Sequence, residues 1–141
     1  MPLAHIATRL MYTSTFTGGG KIACFNDNKK KLAEYLANVR PTMFLSVPRL
    51  YNRFYALMKG KLDAFKGCKA CLIRNGIKTK LSNLHNKGSY THGFYDILFK
   101  KLKMALGGRV RLMITGAAPL DDEVKDFFKI AMGCPMLEAY G

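Results

Sequence analysis

The sequence contains no tryptophan, only five prolines and four cysteines, and only 9 acidic residues against 23 lysines and arginines. The scarcity of proline excludes a collagen-like chain, and a hydrophobic content of 49% excludes an intrinsically disordered one. No apolar run approaches the roughly 18 to 20 residues that span a bilayer, and the first residues lack the pattern of a secretory leader. The 141 residues therefore predict one globular domain or part of one, with neither secretion nor a membrane span.

The four cysteines are too scattered for a dense disulfide framework. They are Cys24, Cys68, Cys71 and Cys134. We expect them to be reduced, which favours a cytoplasmic location. Cys68 and Cys71 have the spacing of half a zinc site, with His85 and His92 as distant further ligands. A structural zinc usually has two close pairs of ligands, so small, partly buried cysteines are the simpler interpretation.

The positive charge is concentrated in one region. Residues 49–111 hold 15 of the 23 basic residues and two acidic ones, Asp63 and Asp96, which gives the region a net charge of +13 within a total of +14. Such a region could meet anionic lipid headgroups, nucleic acid or an acidic partner subunit, or could be a solvated helix face. We do not expect a nucleic-acid partner, because the region has no aromatic-stacking signature and no recognition helix.

Hydrophobic periodicity and turn residues predict alternating helices and strands. Helices are expected over residues 6–15, 29–39, 49–65, 95–106 and 121–132, and strands over residues 21–25, 42–47, 109–115 and 135–140. Residues 66–89 are too basic and irregular for an assignment. The residues Asn26, Asp27 and Asn28 offer N-caps to the second helix. The order implies parallel strands with right-handed helical crossovers, and therefore an α/β fold with a layered parallel sheet that is covered on both faces.

Ligands of such sheets bind beyond the carboxyl ends of the strands, which directs attention to the loops that start at Pro48, Gly116 and Tyr140. The glycine-rich stretch at residues 17–21 is not expected to bind phosphate, because Ile22 replaces the required Ser or Thr and a helix precedes the glycines. A serine hydrolase is not indicated, because the G-x-S-x-G nucleophile elbow is absent.

Four ordered motifs carry a resemblance to a known family. They are PLAH at residues 2–5 with Arg9 four residues on, RPT at 40–42 leading to VPRLYNR at 47–53, GRVRLMITGAAPL at 108–120, and GCPMLEAYG at 133–141. Together they resemble the long-chain fatty-acid CoA ligases of the AMP-forming, adenylate-forming superfamily. The resemblance implies that residues 1–141 are part of the large N-terminal AMP-binding domain. The phosphate loop would precede them, and the hinge and the C-terminal domain would follow.

The resemblance implies an enzyme that joins a fatty acid to ATP, releases pyrophosphate and passes the acyl group to CoA, with Mg²⁺ supporting the first step. The implied cofactor-binding residues are Gly116, Ala117, Ala118, Pro119, Glu138, Ala139, Tyr140 and Gly141. The first loop would approach the adenine, Tyr140 would stack on it, and the residues around Tyr140 would flank the nucleotide. His5 would lie near the bound acyl group, and a local role at a helix start is an equal interpretation of it.

The chain departs from the family pattern at two positions. Ala139 replaces a glycine, and Thr8 replaces a glutamate, while the Thr-Glu pair that helps to hold Mg²⁺ would follow Gly141. We expect residues 1–141 alone to be inactive. The alternative is a non-catalytic module that binds an anionic membrane or a partner through residues 49–111, and a peripheral position on the cytoplasmic face of an endomembrane fits both.

Overall fold

The computed structural model describes residues 5–25 and 31–139, which form six helices and three strands. The helices are α1 (Ile6–Thr17), α2 (Leu32–Val39), α3 (Pro48–Asp63), α4 (Cys68–Lys87), α5 (Gly93–Ala105) and α6 (Asp122–Met132), and the strands are β1 (Met43–Ser46), β2 (Leu112–Gly116) and β3 (Met136–Ala139). The predicted α/β class is confirmed.

The three strands are parallel and lie in the order β1-β2-β3. The connection from β1 to β2 contains α3, α4 and α5, and the connection from β2 to β3 contains α6. A parallel pair needs a crossover of this kind, because the chain must return to the same end of the sheet before the next strand begins. The carboxyl ends of all three strands therefore meet at one edge.

The predicted first strand is wrong. Residues 21–25 follow α1 as an irregular segment, because no strand in the described ranges pairs with them and satisfies their backbone groups. The predicted caps at residues 26–28 lie outside the described residues. The stretch left unassigned, residues 66–89, contains the 20-residue helix α4.

One row of side chains forms the centre of the core. Phe44, Met113 and Met136 lie in register on the three strands and are all buried. Helices α3 and α6 cover this row with Tyr51 and Phe128, whose ring centroids are 5.2 Å apart in an edge-to-face arrangement. Full burial of each such side chain contributes about 1.5 to 3 kcal/mol, so the row and its cover hold the sheet against α3 and α6.

Tyr51 ties α3 to two strands at once. Its hydroxyl lies 3.0 Å from the carbonyl oxygen of Phe44 in β1 and 3.1 Å from that of Ile114 in β2. Burial raises the pKa of Tyr51 far above its ordinary value, because the phenolate would lose its hydration.

Pro48 begins α3 as predicted, since the first turn of a helix does not need the N–H that proline lacks.

The second face of the sheet is less covered than the sequence predicts. Leu45, Ile114 and Leu137 lie in register on it. The first two are half-buried, and Leu137 is 53% exposed. Within the described residues only the face under α3 and α6 is closed.

Candidate functional site

The carboxyl ends of β2 and β3 bring two predicted segments side by side. Gly116 ends β2 and lies in register with Ala139, the last residue of β3. A Cβ atom added at Gly116 would lie 3.3 Å from the carbonyl oxygen of Ala139 and 3.7 Å from its Cβ. Backbone pairing sets the spacing of the two strands, and the lack of a Cβ at Gly116 avoids a tight contact with Ala139. The structure thus joins two residues that are 23 positions apart and were both assigned to one site.

The loop after β2 is exposed and contains an unusual backbone conformation. Ala117, Ala118 and Pro119 are all exposed. Ala117 has a φ of 75°, in the left-handed region that residues other than glycine rarely adopt. Residues held in such conformations cluster at ligand clamps and active sites, where the surrounding structure imposes them. The loop therefore presents an exposed surface of small residues beside the carboxyl end of β2.

Glu138 fastens this loop to β3. One carboxylate oxygen accepts a hydrogen bond from the backbone N–H of Leu120 at 3.0 Å, and the other accepts one from the Lys125 ammonium at 3.1 Å. Lys125 also contacts Asp122 at 2.7 Å. The Leu120 N–H, followed by Lys125, lowers the pKa of Glu138, and the Asp122 carboxylate, followed by Glu138, raises the pKa of Lys125. The carboxylate of Glu138 is thus engaged by the protein itself.

Two buried hydroxyls beneath this edge were missed by the sequence analysis. Ser46 and Thr115 lie in register with each other, and Thr115 lies in register with Glu138. Ser46 and Thr115 are both buried, and the Thr115 Oγ1 has no hydrogen-bond partner among the described residues. A buried hydroxyl without a hydrogen-bond partner costs free energy, so such a group is uncommon in a folded protein and calls for an explanation. The sequence does contain a signal for both residues, since each is a polar residue at the carboxyl end of an apolar strand.

The remaining predicted site residues are not joined to this edge. Tyr140 and Gly141 lie outside the described residues. His5 immediately precedes α1, and its backbone carbonyl accepts hydrogen bonds from the N–H groups of Thr8 at 3.0 Å and Arg9 at 3.2 Å. These are backbone contacts that any residue at the start of a helix would make. The role of the His5 side chain, including its position near an acyl group, stays a prediction.

The cysteines are placed differently from the prediction. Cys68 and Cys71 are exposed rather than partly buried, because they lie on the solvent side of the first turn of α4. Across residues 5–25 and 31–139, no group of three or more His, Cys, Asp or Glu side chains could hold a metal ion. His85, a distant candidate for the zinc site, contacts Asp126 at 2.7 Å.

A groove of about 290 Å³ lies between α3, α4 and α6, away from the strand ends. Its apolar floor is formed by Leu62, Ile77, Leu81, Phe127 and Ile130. It is bordered by the ion pair of Lys59 with Glu123 at 3.1 Å and by a hydrogen-bond contact of the His85 imidazole with Asp126 at 2.7 Å. No residue of the loop after β2 lines this groove, so the sheet edge and the groove are separate surfaces.

An α/β fold with a small-residue loop at the carboxyl end of a parallel strand is typical of a nucleotide-binding protein. The AMP-binding enzyme family matches residues 1–141, and the chain therefore belongs to the AMP-binding enzymes. The chain is 39% identical to long-chain-fatty-acid–CoA ligase 5 of Rattus norvegicus and 39% identical to the peroxisomal long chain acyl-CoA synthetase 6 of Arabidopsis thaliana. Each match covers 100% of the chain and 20% of the relative, so the chain spans about a fifth of the length of these proteins.

Solved structures show the same fold. The chain is similar to the adenylation domain of a carboxylate reductase from Mycobacterium chelonae, with a TM-score of 0.71 and 26% identity over 100% of the chain and 19% of that structure. An adenylation domain with its carrier domain from the carboxylic acid reductase of Segniliparus rugosus, solved in complex with AMP, has the same fold at a TM-score of 0.62 and 23% identity, over 100% of the chain and 17% of that structure. The resemblance to long-chain fatty-acid CoA ligases and the predicted fold are confirmed.

Proposed function

We propose that the protein carrying this chain activates a long-chain fatty acid with ATP and transfers the acyl group to CoA. The first step would form an acyl-adenylate and release pyrophosphate, and the second would form the thioester and release AMP. The names of the rat and Arabidopsis relatives support this substrate class. The chain itself would supply part of the adenine-binding surface.

The observation that carries the proposal is the adjacency of the exposed loop at residues 117–119 and the end of β3. The absence of a side chain at Gly116 and the small methyl group of Ala117 permit a flat ring to approach the backbone closely. Tyr140, the residue after β3, would stack on that ring. Glu138 would act through its contact with Leu120, because its carboxylate already accepts two hydrogen bonds from the protein.

ATP, Mg²⁺ and CoA are the cofactors and co-substrates of this proposal. Mg²⁺ would stabilise negative charge on the phosphates during adenylation. The described residues contain no cluster that could hold a metal ion, and we assign no Mg²⁺ ligand to them. His5 would lie on the acyl side of the site, with no part in proton transfer.

The test is fatty-acid-dependent exchange of labelled pyrophosphate into ATP, measured on the protein that contains this sequence. We expect exchange with long-chain fatty acids, and formation of AMP and acyl-CoA once CoA is added. Gly116→Leu should abolish exchange, because its side chain would enter the surface between the two strand ends. Gly60→Leu is the matched control, since Gly60 lies on α3 with nothing within 4 Å of an added Cβ. Exchange that survives in Gly116→Leu at the control level would contradict the proposed adenine surface.

A second property is proposed from α5, which presents an amphipathic face. Phe94, Ile97 and Met104 are 61%, 71% and 48% exposed, and Lys100 and Lys101 lie exposed among them. Apolar side chains next to lysines on a helix fit the interface of an anionic membrane. No helix in the described ranges is long and apolar enough to cross a bilayer. We propose that α5 makes peripheral contact with anionic lipid from the cytoplasmic side. The alternative function is a protein that binds the membrane in this way and has no enzyme activity.

Vesicle co-sedimentation tests this contact. Binding is expected to vesicles that contain phosphatidylserine, and to fall when the anionic lipid is omitted or the salt concentration is raised. The double variant Phe94→Ser with Ile97→Ser should lose binding. Leu57→Ser is the control, because Leu57 is a 56% exposed leucine on α3. Equal binding to neutral vesicles, or equal loss in the control, would contradict the role of α5.

A further inference from the structure

We propose that Cys68 and Cys71 form a reversible redox site, a dithiol on the first turn of α4 that closes to a disulfide in exchange with glutathione disulfide. The two cysteines are the first and fourth residues of the helix. Residues three apart lie on the same face of a helix, with Cβ atoms about 5 to 6 Å apart. A disulfide needs Cβ atoms about 3.5 to 4.5 Å apart, so closure needs a small movement of one helical turn.

The first turn of α4 is suited to that movement. The N–H groups of Ala70 and Cys71 both point to the carbonyl oxygen of Gly67, at 3.1 Å and 3.3 Å. The N–H groups that precede them in the turn have no partner within the helix in any case. Gly67 has a φ of 65°, and nothing lies within 4 Å of a Cβ added there. The turn can therefore tighten around Gly67 without breaking helical hydrogen bonds further along α4.

Access and charge favour glutathione disulfide as the oxidant. Cys68 and Cys71 are both exposed, and the side chains of Lys66, Lys69 and Arg74 around them are exposed as well. None of the three cations takes part in an ion pair within the described part of the chain. Glutathione disulfide carries several carboxylates, so this basic surface attracts it.

The reaction balances as two thiol–disulfide exchanges. The thiolate of one cysteine attacks a sulfur of glutathione disulfide, a new S–S bond forms, and glutathione leaves as its thiolate. The second cysteine then attacks the sulfur of the first, the protein disulfide forms and a second glutathione leaves. Two protein thiols are oxidised, one glutathione disulfide is reduced to two glutathione molecules, and the two thiol protons pass to the departing thiolates.

The other two cysteines are built-in controls. Cys24 is exposed, but its sulfur lies 3.3 Å from the Tyr12 hydroxyl and no second cysteine is near it in the sequence. It should stop at the mixed disulfide with glutathione. Cys134 is buried, and burial raises the pKa of its thiol to about 11. It should not react, because the neutral thiol is a poor nucleophile.

The experiment uses the protein that carries this chain, equilibrated at different ratios of glutathione to glutathione disulfide, blocked with N-ethylmaleimide and digested with trypsin without reduction. We expect residues 67–69 and 70–74 to be recovered as one disulfide-linked pair whose fraction follows the ratio and returns to zero in excess glutathione. Cys68→Ser should convert peptide 70–74 to its glutathione adduct, and Cys24→Ser should leave the linked pair unchanged. Separate adducts on Cys68 and Cys71, or no modification of either, would overturn the proposal whether or not the protein is a ligase.

Discussion

Helices α4 and α6 pack against each other, yet they satisfy the rules of helix formation to different degrees. The 11-residue α6 begins at an N-cap, Asp121, whose carboxylate accepts the N–H of Glu123 at 2.8 Å, and it buries six apolar residues. The 20-residue α4 has no side-chain N-cap, and its two buried residues are Gly76 and Lys80. The shorter helix is therefore specified locally, and the longer one depends on its neighbours.

The buried lysine explains why α4 is hard to recognise. The Lys80 ammonium lies 2.5 Å from Asp96 on α5 and 4.9 Å from the ring centre of Phe99. Burial lowers the pKa of Lys80, and the carboxylate of Asp96 opposes that effect. Sequence patterns place a lysine on the solvent side of a helix. A helix that buries a lysine therefore does not show the apolar stripe by which an amphipathic helix is recognised. The contrast teaches that α6 is specified by its own apolar stripe, whereas α4 buries a charge that needs a partner on α5.

The largest effect is expected when the apolar packing of α6 is broken. Phe128→Ala should lower the free energy of unfolding by about 3 to 5 kcal/mol, because Phe128 is fully buried against Tyr51 and the cavity would not refill. Leu72→Ala on α4 is the comparison and should lower it by only about 1 kcal/mol, since 36% of Leu72 is exposed and its loss leaves no enclosed cavity. Urea denaturation measures both variants. Equal losses would mean that α4 and α6 are packed alike.

The second effect comes from the ion pair of α4. Asp96→Ala should cost about 3 kcal/mol, the lower end of the range for a broken buried pair, because Asp96 is itself 23% exposed. Lys80→Met should cost less, since it replaces the buried charge with an apolar side chain of similar length. Urea denaturation of the two variants gives the order. A larger loss in Lys80→Met would contradict desolvation of Lys80 as the dominant cost.

Much of the fold could be predicted because its strands and most helices obey local rules. The predicted helix at residues 121–132 differs from α6 by one residue, and Pro48 begins α3. The strand predicted over residues 21–25 is wrong because an apolar run forms a strand only where a neighbouring strand supplies its hydrogen bonds. Whether such a strand lies beside it depends on the tertiary structure. Helix α4 was not predicted because the partner of its buried Lys80 lies 16 residues away on another helix.

The candidate site was predicted in its position but not in its internal contacts. The rule that ligands bind at the carboxyl ends of parallel strands located Gly116 and the residues after β3. It could not reveal that the carboxylate of Glu138 is occupied by the Leu120 N–H and by Lys125, because that contact joins three separate segments. Ser46 and Thr115 were missed although each is a polar residue at the carboxyl end of an apolar strand, because burial of their hydroxyls depends on the helices packed over the sheet.

A smaller effect distinguishes two glycines within helices. Gly76 on α4 faces Tyr95, and an added Cβ would lie 2.9 Å from a ring carbon, whereas an added Cβ at Gly60 on α3 meets nothing within 4 Å. Gly60→Ala should therefore stabilise the protein by about 0.5 to 1 kcal/mol. Gly76→Ala should destabilise it by about 1 kcal/mol, because the ring must move. Thermal denaturation of the two variants tests whether their changes in stability have opposite signs. Stabilisation by both would show that the Tyr95 ring moves aside at no cost.

The smallest effect concerns the start of α6, where Lys125 and Glu138 hold the loop after β2. The hydrogen bonds from Leu120 and Lys125 lower the pKa of Glu138. The contact of the ionised Glu138 with these two groups is therefore fully present above the ordinary carboxyl pKa of about 4.3, and it is lost only as the pH falls through the lower pKa of the folded state. The amide chemical shift of Leu120, followed from pH 7 to pH 3 in protein labelled with ¹⁵N-leucine, should report that transition.

Lys125→Met should move the midpoint of the Leu120 transition up toward the ordinary value, since it removes one of the two groups that lower the pKa of Glu138. Glu138→Gln should remove the transition altogether. It should preserve the Leu120 shift seen at pH 7, because the amide oxygen can still accept that N–H. Lys78→Met, at an exposed lysine on α4, should leave the midpoint in place. An unchanged midpoint in Lys125→Met would mean that the loop depends on the backbone contact alone, and α6 would then position the loop through its packing rather than through its charge.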